Sequence, residues 1–155
     1  MKNKISIAFL AFYLIQYFIG VNWGYLAELQ TTDLYKNWSG LALFLLIITQ
    51  WTLSLFRSIY SVSGSKKETL LNIHEWAGVF SPLLFFIHTV NPGYGLLLFL
   101  TSIFAINLLL ASLPMSKIKV KKPNLYFTWL TIHIGLAAIV VVLAIFHIWI
   151  VFYYE

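Results

Sequence analysis

The sequence predicts an all-α integral membrane protein: a five-span transmembrane helical bundle with its N-terminus inside and its C-terminus outside. Three observations predict it. Of 155 residues, 61% are hydrophobic and only 10% charged, and mean hydropathy is +0.86, outside the balance of a soluble domain. Five apolar runs are separated by short polar or proline-containing segments. The basic residues then fall on one side of those runs. With an inside N-terminus, the inner segments hold Lys2, Lys4, Arg57, Lys66, Lys67, Lys117, Lys119, Lys121 and Lys122, and the outer ones only Lys36, nine against one.

This length is that of one domain, residues 1–155. There is no cysteine, which excludes thioether-linked cofactors, thiolate-ligated clusters and disulfides. The net charge of +5 invites a nucleic-acid partner. Its placement in inner loops makes it ordinary topology-setting charge instead.

The first span runs from about 5 to 25, behind the basic start Met1-Lys2-Asn3-Lys4. A signal peptide is the competing reading. The run exceeds a signal core, and Gly20-Val-Asn-Trp-Gly24 is a poor cleavage site, so a retained helix is expected. A polar connection, Glu28 to Trp38, leads to the second span, 39–57, which closes at Arg57. The small, basic loop Ser61-Val-Ser-Gly-Ser-Lys-Lys-Glu68 suits a surface turn. The third span, 69–90, is stopped by Asn91-Pro92-Gly93. Pro82 inside it removes the bond to the Gly78 carbonyl and predicts a kink. The fourth span, 94–113, ends before Pro114, and the loop Met115 to Asn124 carries four lysines. The fifth, 124–152, follows Pro123 and is long enough to cross with tilt.

All four histidines stand on the third and fifth spans, in pairs fourteen positions apart: His74 and His88, then His133 and His147. On an α-helix fourteen steps fall about 40° short of four turns and rise about 21 Å. Both rings of a helix therefore share nearly one face, one near each side of a hydrocarbon core about 30 Å thick. One span separates the two helices, so they run parallel. The expected pairs are His74 with His133 in the inner half and His88 with His147 in the outer half. Two facing imidazole pairs stacked across a membrane form a scaffold for two bis-histidine haem b groups, the four histidines being axial ligands to iron.

The plainer reading is that each histidine only makes an interhelical hydrogen bond. For a single histidine the two readings stand level; two pairs with one spacing favour haem. A metal-transport site needs ligands converging on one ion, which histidines about 21 Å apart do not offer. Gly78, Ser81, Ala137, Val140 and Ala144 lie on the ligand faces. Small residues there admit a porphyrin plane, or simply close helix packing.

The pattern His74-x3-Gly78-x9-His88, with Trp129-x3-His133-x13-His147, resembles the transmembrane domain of the ferric reductase and NADPH oxidase superfamily. That superfamily includes the haem-binding membrane subunit of the bacterial methionine sulfoxide reductase system. The resemblance covers about Leu70 to Trp149; spaced histidine pairs also occur in respiratory cytochrome b. It implies electron transfer from an inner reductant, through the inner and outer haems, to an outer acceptor. Members that act alone continue past a sixth span into a flavin and nicotinamide domain. This sequence ends at Glu155, two or three residues past the fifth span, without a G-x-G-x-x-G fingerprint. The resemblance therefore implies a soluble flavin reductase or a quinol as donor, and a protein or metal acceptor outside. Four residues after His88, where some oxidases carry a further histidine, stands Pro92, a departure from the oxygen-reducing pattern.

Other residues have two readings each. Glu75 handles a proton at a quinol site or faces headgroups. Arg57 neutralises a propionate or anchors the inner surface. The Lys117–Lys122 cluster docks an acidic reductase, contacts propionates, or meets anionic lipid. Gln16, Gln50 and Asn107 read as interhelical glue. Trp23, Tyr25, Trp38, Trp149, Tyr153 and Tyr154 suit the interfacial belt. The expectation is the membrane-embedded electron-transfer subunit of an oxidoreductase in a bacterial cytoplasmic membrane, rather than a complete enzyme. The alternatives are a quinol-oxidising cytochrome b subunit of a larger respiratory complex, and a non-redox small membrane transporter or assembly subunit.

Overall fold

The structure, a computed structural model, describes residues 2–59, 65–113 and 122–154. Every element among them is an α-helix: α1 Lys2–Ile19, α2 Gly24–Leu29, α3 Asp33–Ile59, α4 Ser65–His88, α5 Leu96–Ala111 and α6 Pro123–Tyr154. Two stretches, Lys66–His88 and Pro123–Tyr153, are long and apolar enough to cross a membrane, and Lys4–Ile19 and Leu96–Ala111 are shorter apolar helices. Only 28% and 11% of the two long apolar windows are buried. A core helix of a soluble protein would be mostly covered; this apolar surface suits contact with lipid. Residues 61–64, Lys117, Lys119 and Lys121 lie outside the described residues, as does the side chain of Arg57.

Three boundaries differ clearly from expectation: α4 begins at Ser65 rather than 69, so Ser65–Glu68 is helical rather than loop, and the other two each have a local reason. The first helix stops at Ile19 rather than near Tyr25 because Gly20 takes a left-handed φ of 69°. Its N–H donates to the Tyr17 carbonyl at 3.2 Å and the Val21 N–H to the Gln16 carbonyl at 3.1 Å, the two bonds of a Schellman end. The second long helix begins at Asp33 rather than Ser39. Its first turn carries the Asp33 carboxylate, favourable at a helix N-terminus and paired with Lys36 at 2.9 Å. Much of the expected polar connection is thus helical. Through Pro82, α4 continues without interruption to His88.

The chain forms two compact units, 1–91 and 92–155. In the first, α4 packs against both α3 and α1; in the second, α5 packs along α6. Leu10, Tyr13, Leu43, Ala77, Val79 and Phe85 are buried apolar residues of the first unit. Aromatic edges join its helices: Tyr13 meets Phe85 at 5.0 Å, and Phe12, Trp23 and Phe86 meet one another at 5.1 to 5.9 Å.

Side chains tie α4 down in its first half and at its finish. About two to three turns in, Lys2 Nζ donates to Glu75 Oε2 at 2.9 Å and to Asn72 Oδ1, and lies over the Trp76 ring. At its finish the last carbonyls have no helical N–H to accept from. Gln30 Nε2 donates to the Phe86 and Ile87 carbonyls at 3.1 and 2.9 Å, while its Oε1 accepts the Val90 N–H at 2.9 Å. Tyr35 Oη donates to the Ile87 carbonyl at 2.9 Å. Gln16 Nε2 donates to the Val90 carbonyl at 3.0 Å and is itself steadied by Trp23 Nε1.

Replacing Gln30 with Ala removes three of these bonds and leaves part-buried backbone groups unpaired. The expected cost is about 1–3 kcal/mol, read as a lower thermal midpoint of the detergent-purified protein. An unchanged midpoint would show that water caps α4 equally well.

Candidate functional site

A neutral imidazole has one ring nitrogen donating and the other carrying a lone pair. The neighbours of α4 decide which is which. His74 Nδ1 lies 2.9 Å from the main-chain carbonyl oxygen of Gln50 on α3. A carbonyl only accepts, so Nδ1 carries the proton and Nε2 the lone pair.

His88 reaches the same state by another route. Its Nδ1 lies 3.0 Å from Ser39 Oγ. Ser39 Oγ also stands 2.7 Å from the Tyr35 carbonyl and 3.3 Å from the Lys36 carbonyl. With its hydroxyl donating to the nearer carbonyl, its oxygen is placed to accept from Nδ1, the arrangement this geometry favours. The ring lies close against α3: a Cβ built on Gly40 would stand 3.0 Å from His88 Cε1 and 3.5 Å from Nδ1.

One helix thus orients both rings of its neighbour. Ser39 and Gln50 are eleven residues apart, about 20° past three turns, and so share a face of α3. Gln50 acts twice. Its side-chain Nε2 donates to Ser81 Oγ at 2.8 Å, and Ser81, fully buried, donates to the Ala77 carbonyl at 2.8 Å. A Cβ on Gly78 would meet Gln50 Oε1 at 4.0 Å. The small residues of α4 at 78 and 81 therefore admit the Gln50 side chain, which is the plainer of their two readings.

On α6, His133 and His147 are both half-buried. Trp129, one turn before His133, stacks on its ring with centroids 5.6 Å apart and planes 3° from parallel. Trp129 Nε1 donates to the Leu110 carbonyl at 2.8 Å, fastening the start of α6 to the last turn of α5. Farther along, Phe146, Trp149 and Tyr153 form an exposed ladder of stacked rings.

His74 and His88 belong to the first unit, and His133 and His147 to the second. Glu75 is engaged with Lys2 at 2.9 Å and half exposed. Gln16 and Gln50 do bridge helices; Asn107 Oδ1 is buried with no hydrogen-bond partner among the described residues. Reading the sequence missed Ser39, Gly40 and the main-chain role of Gln50. Among the described residues no three or more His, Asp or Glu side chains cluster as a metal site. No family model, curated protein or solved structure matches the chain.

The donor set of α4 is of the kind haem iron takes: two imidazoles, each with Nδ1 within 3.0 Å of an oxygen on α3. Gly40 and Gly135 differ in the room beside them. Gly40→Ala forces the His88 ring or α3 to shift, at an expected cost of about 1–3 kcal/mol. Gly135→Ala on α6 meets nothing within 4 Å and is expected to be neutral or slightly stabilising. Thermal unfolding of the two variants side by side checks the contrast.

Proposed function

We propose that this chain is a five-span cytochrome b of a bacterial cytoplasmic membrane, N-terminus inside and C-terminus outside. It holds two haem b groups and passes electrons from an inner donor to an outer acceptor, as the membrane subunit of a ferric reductase-like or methionine sulfoxide reductase-like system. His74 and His133 hold the inner haem, and His88 and His147 the outer one. The observation that supports this reading is that Nδ1 of both His74 and His88 lies within 3.0 Å of an oxygen on α3, the contact that the other ring nitrogen of a metal-binding imidazole makes.

When bound, haem supplies the reversible one-electron chemistry of its iron, and two axial histidines favour electron transfer over oxygen binding. The chain's own part is positional. The Gln50 carbonyl and the Ser39 hydroxyl orient the α4 ligands. Trp129 packs flat on His133 and fastens it through α5. Apolar helix surface keeps water from the path.

A second reading draws on the same bonds: His74 and His88 only join α4 to α3, and the chain is a non-redox transporter or assembly subunit. The two readings part on haem content. A dithionite-reduced-minus-oxidised spectrum with pyridine haemochrome quantification is expected to give two low-spin b haems per chain. Haem-free protein from cells able to supply haem would establish the packing reading instead. His88→Ala or His147→Ala is expected to remove one haem and leave the other, and loss of both together would overturn the pairing.

A further inference from the structure

The two α4 ligands are held by acceptors of different kinds. His74 donates to a main-chain carbonyl, which no substitution at Gln50 removes; His88 donates to a side-chain hydroxyl. We propose that Ser39 is a positioning residue that holds His88 with its lone pair on Nε2 and thereby sets the reduction potential of the haem held by His88 and His147. This rests on the haem reading and goes beyond it, because it assigns control of one potential to one residue outside the ligand set.

Three observations carry it. Ser39 Oγ lies 3.0 Å from His88 Nδ1, and the Tyr35 carbonyl at 2.7 Å offers the hydroxyl proton a nearer acceptor. That outgoing bond polarises the hydroxyl and strengthens the oxygen as an acceptor. The ring has a defined seat, since the absent Cβ of Gly40 leaves room for Cε1 and Nδ1 against the α3 main chain. Finally, Tyr35 donates its hydroxyl to the Ile87 carbonyl at 2.9 Å. The residue whose carbonyl orients Ser39 thus also fastens the α4 backbone beside His88.

An Nδ1–H···O bond makes Nε2 more basic, and a more basic ligand favours ferric iron and lowers the potential. Ser39→Ala deletes the acceptor without adding bulk. The haem bound through His88 then favours its ferrous form by about tenfold more, equivalent to an upward shift of about 59 mV for a one-electron couple. The other haem keeps its midpoint and serves as an internal control. Ser39→Thr retains the hydroxyl and restores the wild-type value.

The test is a redox titration of the haem-loaded, full-length protein, wild type against Ser39→Ala and Ser39→Thr. It is paired with nitrogen NMR of histidine-labelled, haem-free protein, which reports where the His88 proton sits. An upward shift of one midpoint in Ser39→Ala, reversed in Ser39→Thr, supports the role of Ser39. So does selective loss of one haem in Ser39→Ala that Ser39→Thr restores, and so does an Nδ1-protonated His88 that becomes Nε2-protonated in Ser39→Ala. Two retained haems with wild-type midpoints in Ser39→Ala overturn it and leave the haem reading standing. An Nε2-protonated His88 in the wild type overturns it and removes the tautomer support for haem at His88, haem content then deciding that reading. Wild-type protein that binds no haem overturns the haem reading and this assignment together, a result recognised from haem content alone.

Discussion

Imidazole placed among apolar helices needs polar partners, and α3 provides an oxygen beside Nδ1 of His74, within α4, and of His88, at its end. That requirement sets the rest of the first unit. For α3 to face His74 and His88 at once it must run beside α4 in the opposite direction, with Ser39 near His88 and Gln50 near His74. It must also come close, which Gly40 permits at one end and the Gln50–Ser81 bond secures at the other. α4 is then held by Lys2 through the Asn72 and Glu75 side chains in its first half, and through its backbone by Gln16, Gln30 and Tyr35 at its finish. These contacts restrain where the histidine Cα atoms lie, and the α3 oxygens engage Nδ1 of each ring.

Helical class and apolar character were legible in the sequence because they are one-dimensional properties: run length, charge content and the spacing of breakers. His74 and His88 stood out for the same reason, as a repeated interval along one helix. The partners did not, since they depend on which helix lies alongside. A polar or small pair eleven residues apart on the second span, Ser39 and Gln50, was the available signal. It is visible only when that interval is set against the fourteen-residue interval of the third span with the chain direction reversed. Gln50 acts on His74 through its main chain, which carries no sequence signal at all. Gly20 was weighed as part of a cleavage site, yet its left-handed φ ends α1 six residues before Tyr25.

The bonds to α3 also show why histidine chemistry and helix packing are hard to separate in such a chain. The contact that orients a ligand for metal is the contact that joins two helices. Gln50 makes this plain: its side chain packs against the small face of α4 while its carbonyl fixes His74. Small residues at 78 and 81 therefore speak first for that packing. The case for haem rests on the nitrogen that the partner leaves as an acceptor, not on the space beside it.

The side-chain cap at the end of α4 has a bearing on motion. His88 is the last helical residue, where a helix ordinarily frays on a fast timescale. Here the carbonyls of Phe86, Ile87 and Val90 are all held by side chains from segments preceding α4 in the chain. Releasing the end of α4 thus requires the stretch from Gln16 to Tyr35 to let go as well. Amide exchange around His88 becomes a property of that whole stretch opening together, and a side chain at a helix terminus acquires the steadiness of one in the middle.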